Sequence, residues 1–183
     1  THFLLLFCLW LLPAADSLAQ PYTLRHLGVE DGLSNNYVRD IAQDRQGCIW
    51  IATELGLNRF DGCNFTTYKS NNTGLSSDAL NVLLYDETEN LLWISGKFKG
   101  ICALDCSTYR FRSYGEAEGA NIDNVVHLSH AANEGIWITM HHGDIVYYDK
   151  RSQTFTSLSD KGIKSLNTSN WCTFDDGAEN LYI

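Results

Sequence analysis

The sequence predicts an all-β fold, an incomplete β-propeller made of four-stranded blades of about 44 residues. Three observations predict this fold: a motif that recurs at a nearly constant spacing, four short strand-like runs in each repeat, and runs that are apolar at consecutive positions. The composition agrees, because 44% hydrophobic residues can form a core, and 14 Gly against 2 Pro are typical of a chain with many tight turns.

The repeat is marked by an aromatic residue followed by Ile. Its copies start at Trp50, Trp93, Trp137 and Tyr182, at intervals of 43, 44 and 45 residues. A second marker is an Asp that follows an apolar residue. Its copies are Asp61, Asp105 and Asp149, and both intervals are 44 residues. Chance would scatter independent markers, so a shared period indicates repeated supersecondary units.

Each unit contains four runs that we predict to be strands, separated by Asp, Gly and Asn residues that favour turns. In unit 1 the runs are 37–44, 48–53, 57–61 and 65–69. In unit 2 they are 80–86, 91–96, 101–105 and 110–114. In unit 3 they are 125–130, 136–139, 145–149 and 154–158. Four short strands in about 44 residues form one small antiparallel sheet.

The second run of unit 1, from Cys48 to Ala52, is apolar at consecutive positions. Because neighbouring side chains of a strand point to opposite faces, both faces of its sheet must be covered. Copies of the sheet can cover one another by stacking around an axis, as propeller blades do. A β-helix needs a shorter repeat, kelch repeats are longer, and neither WD40 marks nor helical periodicity is found.

The first 19 residues predict a signal peptide. Their apolar run, 3–12, is too short to span a bilayer, and Ser17 and Ala19 supply the small residues of a cleavage site. No second apolar run of membrane length follows, so we expect the rest to be exported. The predicted divisions are a signal peptide at 1–19, a lead-in strand at 20–36, blade 1 at 37–74, blade 2 at 75–121, blade 3 at 122–162 and a truncated blade 4 at 163–183.

Charge and cysteine content narrow the possible partners. The net charge is −9 and no Lys/Arg run exceeds a pair, which argues against nucleic acid and against an anionic membrane surface. Five of the six Cys follow the predicted signal peptide, an odd number that cannot pair completely. These cysteines can be free thiols, form one internal disulfide or bind a metal. For a zinc site, however, Cys102 and Cys106 have no further His or Cys at the usual ligand spacing. We expect no cofactor and no metal.

Unit 1 resembles a known family of repeats. Residues 47–53 read Gly-Cys-Ile-Trp-Ile-Ala-Thr, 56–61 read Gly-Leu-Asn-Arg-Phe-Asp, and 65–68 read Phe-Thr-Thr-Tyr. These segments resemble two-component regulator propeller repeats, and 29–36 is similar to the segment that precedes the first such blade. Later units depart from the pattern, since Asp144 stands in place of Gly56, and Ala103 in place of Arg59.

The resemblance implies a propeller in the periplasm that senses glycans or other nutrients. It also implies that a small β-sandwich and a membrane helix connect the propeller to a cytoplasmic histidine kinase, and that the full-length protein is a homodimer. These residues contain no phospho-acceptor or ATP-binding motif of a kinase, so we expect this part of the protein to bind ligands and to catalyse nothing.

The propeller geometry predicts where a ligand binds. Loops between the second and third strands share one edge of the blades with the segments between blades, 71–74 and 115–121. In unit 2 this loop holds Lys97, Phe98 and Lys99, which can bond and stack on an anionic sugar, although a solvated charged loop is the alternative. In unit 3 it holds His141 and His142, which are predicted ligand contacts, with solvated loop residues as the alternative. They are poor chelators of a metal, because neighbouring side chains on a strand diverge.

Two other function classes remain open. A secreted propeller enzyme that acts on polysaccharide would need titratable groups that converge on the channel, whereas the inner strands offer only Asp40, Asn81 and His127, which are scattered. The other class is a scaffold propeller that binds only protein. Calorimetry with oligosaccharides would then detect no binding.

Overall fold

A computed structural model describes residues 24–162, 172–178 and 180–183. The predicted signal peptide, 1–19, and residues 163–171 of the predicted fourth blade lie outside the described residues. Within the described ranges no helix has the length and apolar character needed to cross a bilayer.

The described residues form three four-stranded antiparallel sheets, each with its strands in chain order. Blade 1 consists of β1 (Val38–Gln43), β2 (Ile49–Thr53), β3 (Gly56–Phe60) and β4 (Phe65–Tyr68). Blade 2 consists of β5 (Leu80–Asp86), β6 (Leu91–Gly96), β7 (Ile101–Asp105) and β8 (Arg110–Tyr114). Blade 3 consists of β9 (Val125–His130), β10 (Gly135–Met140), β11 (Ile145–Asp149) and β12 (Thr154–Ser157). A short pair, β13 (Phe174–Asp175) and β14 (Leu181–Tyr182), belongs to blade 4. The predicted all-β architecture of propeller blades is confirmed.

The blades stack through the faces that the apolar runs predict. The inner strands lie side by side, β1 against β5 and β5 against β9. Trp50 is fully buried between blades 1 and 2, where it packs in one core with Leu83 and Leu92. Trp93 is buried in the next core, between blades 2 and 3, against Tyr114 and Tyr148. Trp50 and Trp93 therefore fill matching places between successive sheets, and burial of these large aromatic side chains stabilises both interfaces, whereas Trp137 is half-buried.

The recurring Asp closes the turn between the third and fourth strands of each blade. Asp61 Oδ1 accepts hydrogen bonds from the backbone N–H groups of Cys63 at 2.9 Å and Asn64 at 2.8 Å. Asp105 and Asp149 accept equivalent bonds from the second and third residues that follow them. These bonds hold the pKa of each carboxyl below its usual value, so the acceptor stays ionised.

The inner strands carry a second kind of contact, from a side chain of one blade to the backbone of the next. Asp40 Oδ2 accepts a hydrogen bond from the N–H of Leu83 at 2.8 Å. At the equivalent place in blade 3, His127 Nδ1 accepts from the N–H of Thr173 at 3.2 Å. Blade 2 has Val82 there, which pairs with Ser95 as His127 pairs with Thr139. This inner-strand contact therefore occurs at the first and third interfaces, whereas the second has the apolar side chain of Val82 at the same place.

The His127 contact predicts acid sensitivity of the interface between blades 3 and 4. Burial lowers the pKa of His127, although the charge of Asp40 opposes this effect. The unfolded chain then binds the proton more readily, so stability falls as the pH drops through about 6.5. Urea unfolding at pH 7.5 and pH 5.5 should show a larger loss for the wild-type protein than for His127→Asn, whose amide oxygen accepts the same bond without titrating. An equal loss in both proteins would contradict the assignment.

Candidate ligand-binding edge

The loops between the second and third strands lie on one edge of the blades, which we call the upper edge. Glu54, Lys97 and His141 occupy the same place in blades 1, 2 and 3, four residues after each repeated Trp. The N–H of Lys97 donates to the carbonyl of Ala79 at 2.8 Å, and the N–H of His141 donates to the carbonyl of Asn124 at 2.9 Å. Because both acceptors directly precede an inner strand, these bonds hold the loops at the mouth of the central channel.

The structure places Lys97 in an ion-pair network that joins blades 1 and 2. Its Nζ lies 3.0 Å from Glu54 Oε2, and Arg39 Nε donates to the other oxygen of the same carboxylate at 2.9 Å. These partners, Arg39 first and then Lys97, keep the pKa of Glu54 low. Lys97 therefore shares its charge with a neighbouring acid, and only part of it is available to an anionic ligand.

The other two residues of this loop have different surroundings. The Phe98 side chain is half-buried and packs against the core between blades 1 and 2, so its ring is only partly open to a ligand. Lys99 is exposed. That Lys97, Phe98 and Lys99 bind a sugar stays a prediction.

His141 and His142 contact different parts of the upper edge. The His142 ring lies between two carboxylates, with Nε2 at 3.1 Å from Asp144 Oδ2 and Nδ1 at 3.6 Å from Asp123 Oδ1. His141 lines a cavity of about 350 Å³ together with Asn81 and Asn124. The ligand contacts predicted for both residues remain predictions.

This edge offers groups suited to a neutral, polar ligand. Two amides and an imidazole around the cavity can donate and accept hydrogen bonds. The ion-paired carboxylates of Glu54 and Asp144 add acceptors nearby. Sequence reasoning missed Arg39, Asp123 and Asn124. The one available signal was that they precede or begin the inner strands, which start at the same edge as these loops.

Comparisons with known proteins agree with this architecture. A family model described as two component regulator propeller matches residues 32–54. The extracellular domain of the hybrid two component system BT3049 from B. thetaiotaomicron is similar with a TM-score of 0.73 and 33% identity, over 84% of this chain and 23% of that chain. The extracellular domain of BT4673 from the same organism matches with a TM-score of 0.66 and 22% identity, over 81% of this chain and 22% of that chain, which supports the fold.

A curated relative matches over a shorter stretch. Histidine kinase P4 from Formosa agariphila is 51% identical over 41 residues, which are 22% of this chain and 3% of the kinase. This chain therefore spans less than a quarter of the length of each of these relatives. The stacked blades, the sequence of residues 47–53 and these matches agree. The chain carries a two-component regulator propeller repeat, in a propeller segment like those of the extracellular domains of hybrid two-component systems.

Proposed function

We propose that this chain is part of the periplasmic, ligand-sensing propeller of a hybrid two-component sensor, and that the ligand is a glycan or another nutrient. In this proposal the propeller connects through a membrane helix to a cytoplasmic histidine kinase. The full-length protein works as a homodimer, and ligand binding at the upper edge changes the activity of the kinase.

The observation that carries the proposal is the similarity to the BT3049 extracellular domain, at 33% identity and a TM-score of 0.73 over 84% of this chain. The match of residues 32–54 to the two component regulator propeller and the short match to a histidine kinase support the same assignment.

The upper edge supports an oligosaccharide as the ligand. The side chains of Asn81, Asn124 and His141 line one cavity and present donors and acceptors of the kind that hydroxyl groups require. Sugar recognition depends on several such bonds placed at fixed positions, and the main-chain bonds of Lys97 and His141 hold this edge rigid.

Calorimetry of the complete extracellular region against a panel of neutral and acidic oligosaccharides tests the ligand class. We expect one glycan to bind, and Asn81→Ala with Asn124→Ala to weaken its binding about tenfold, since each lost hydrogen bond costs about 0.5–1.5 kcal/mol. Gln46→Ala is the matched control, because Gln46 is exposed on the opposite edge, in the turn between β1 and β2.

Autophosphorylation of the full-length protein in vesicles then tests the sensor role. The glycan that binds should change the rate of autophosphorylation, and the double Asn variant should remove this response. Binding without any change in phosphorylation contradicts the sensor proposal, whereas silence across the whole panel contradicts the glycan.

A further inference from the structure

Blade 2 carries an open groove. The groove has a volume of about 550 Å³ and lies on the face of blade 2 that is turned toward blade 3, at the outer strands. Leu91, Ala103 and Tyr114 form its apolar part, and Arg110 and Arg112 stand on the outermost strand beside it. It is separate from the upper edge described above.

The groove follows from one small side chain. Ala103 pairs with the repeated Trp93 across the strands β6 and β7. The residues that pair with the repeated Trp in the other blades are Arg59 and Tyr147. Both are large: Arg59 reaches over the ring of Tyr109, at 5.6 Å from its centroid, and Tyr147 packs on Trp137. A methyl group at this position leaves the space unfilled in blade 2.

The two arginines are also particular to blade 2. Arg112 is the cross-strand partner of Ala103, and the equivalent partners in blades 1 and 3 are Thr66 and Thr156. Arg110 pairs with Asp105, whereas Thr154 pairs with Asp149 in blade 3. A blade therefore forms with uncharged threonines at these positions. The fold alone does not explain why blade 2 has two arginines there.

Both guanidinium groups are available to a ligand. Arg110 and Arg112 are exposed, and within the described part of the chain neither forms an ion pair with a carboxylate. Residues two apart on a strand point to the same side, so both groups flank the same groove. Arg112 lies over the Tyr114 ring, with Cζ at 4.7 Å from the centroid. Asp105 also lines the groove, and its carboxylate accepts hydrogen bonds from the Thr108 hydroxyl and from the backbone of its own turn.

We propose that this groove is a second binding site, which takes a small ligand that carries at least two acidic groups, carboxylates or sulfates. A planar guanidinium with its fixed donors binds such groups in a bidentate manner. A groove of about 550 Å³ accommodates a ligand of the size of a disaccharide. The inference goes beyond the proposed sensor function, and the two can fail independently because the sites share no residue.

Calorimetry with the purified protein tests the site with four probes: a sulfated disaccharide, digalacturonate, inorganic sulfate and neutral lactose. We expect one or both acidic disaccharides to bind, with an affinity that falls as salt is added, and lactose not to bind. Binding of the sulfated disaccharide alone assigns sulfate as the recognised group, and binding of digalacturonate alone assigns carboxylate. If neither acidic disaccharide binds, or if inorganic sulfate binds as tightly as they do, the proposal is wrong.

Variants that borrow residues from blade 3 locate the site. Arg110→Thr and Arg112→Thr should each weaken binding about tenfold, because each removes a charge-assisted hydrogen bond. Ala103→Tyr should abolish binding by filling the groove, and Ala103→Ser, which keeps it open, should not. The double variant Arg25→Thr, Arg45→Thr removes the same charge from exposed positions elsewhere and should leave binding unchanged. Equal weakening by this control, or wild-type affinity in a folded Ala103→Tyr protein, overturns the proposal.

Discussion

Replacing Lys150 by Met is expected to lower the free energy of unfolding by about 3–5 kcal/mol, the usual result of breaking a buried ion pair. Lys150 of blade 3 forms an ion pair with Asp86 of blade 2, and the two side chains are only 8% and 1% exposed. Burial raises the pKa of Asp86, but hydrogen bonds from Lys150 and Thr88 outweigh burial and keep the pKa below its usual value. Without Lys150 a buried charge would remain uncompensated between the blades.

Urea unfolding at pH 7 checks this expectation, with two controls. Arg151→Met removes an ion pair to Glu134 in which both side chains are well exposed, so it should change stability little. The double variant Asp86→Asn, Lys150→Met removes both charges and keeps an acceptor for Thr88, so it should recover most of the loss. If Lys150→Met is as mild as Arg151→Met, the pair does not hold the interface.

Replacing Asp44 by Ala is expected to cost about 2–4 kcal/mol, because it leaves buried donors without partners. The Asp44 carboxylate accepts from the Trp50 indole N–H at 2.9 Å, from the N–H of Cys48 at 3.0 Å and from the N–H of Gln46 at 2.9 Å. Asp44 is 5% exposed and Trp50 is fully buried, so water cannot replace these bonds. The residue thus joins the first turn of blade 1 to its central indole.

A pair of Trp variants separates the hydrogen bond from the packing. Trp50→Phe removes a satisfied donor and leaves Asp44 with one bond fewer. Trp93→Phe removes an indole N–H that has no hydrogen-bond partner in the described part of the chain. Both lose similar volume, so chemical denaturation should show a larger destabilisation for Trp50→Phe. The reverse order would show that the bond to Asp44 contributes nothing to stability.

The strands could be predicted because their signals are local. Apolar residues at consecutive positions, and Asp or Gly at each turn, predicted the bounds of β5 to β8 without error. Errors of one residue occurred at strand ends, as at β4, which stops at Tyr68, and at β12, which stops at Ser157. Hydrogen bonding at an edge strand ends with its partner strand, and a pattern of residue types does not reveal that point.

Contacts between blades could not be predicted, since they join residues about one repeat apart. Asp175 and Asp176 are neighbours, but only Asp176 stands at the turn position of Asp44, with its N–H donating to the carbonyl of Asn180. Asp175 reaches back to blade 3 and accepts from the Trp137 indole N–H at 3.0 Å and from the N–H of Ala132 at 3.1 Å. Blade 3 has Ala131 at the place of Asp44, so the following blade supplies the acceptor.

The candidate site was predicted only in part, for a similar reason. The sequence indicated which loops share the upper edge, because the order of antiparallel strands determines that. It did not indicate that Glu54 neutralises Lys97, since the two residues belong to different blades and 43 positions separate them. The sequence shows which charges a loop carries. It does not show which charges of a neighbouring blade lie beside them once the blades stack.

The loops of the upper edge are anchored by their peptide groups, as the bonds from Lys97 to Ala79 and from His141 to Asn124 show. These two bonds use backbone atoms only, and the side chains at these places differ between three successive blades, which carry Glu54, Lys97 and His141 there. A substitution at Lys97 or His141 therefore keeps the main-chain bond of its loop, although a change of Lys97 also removes the ion pair with Glu54. The chemistry that the upper edge presents to solvent can thus vary from blade to blade while the path of the backbone stays the same.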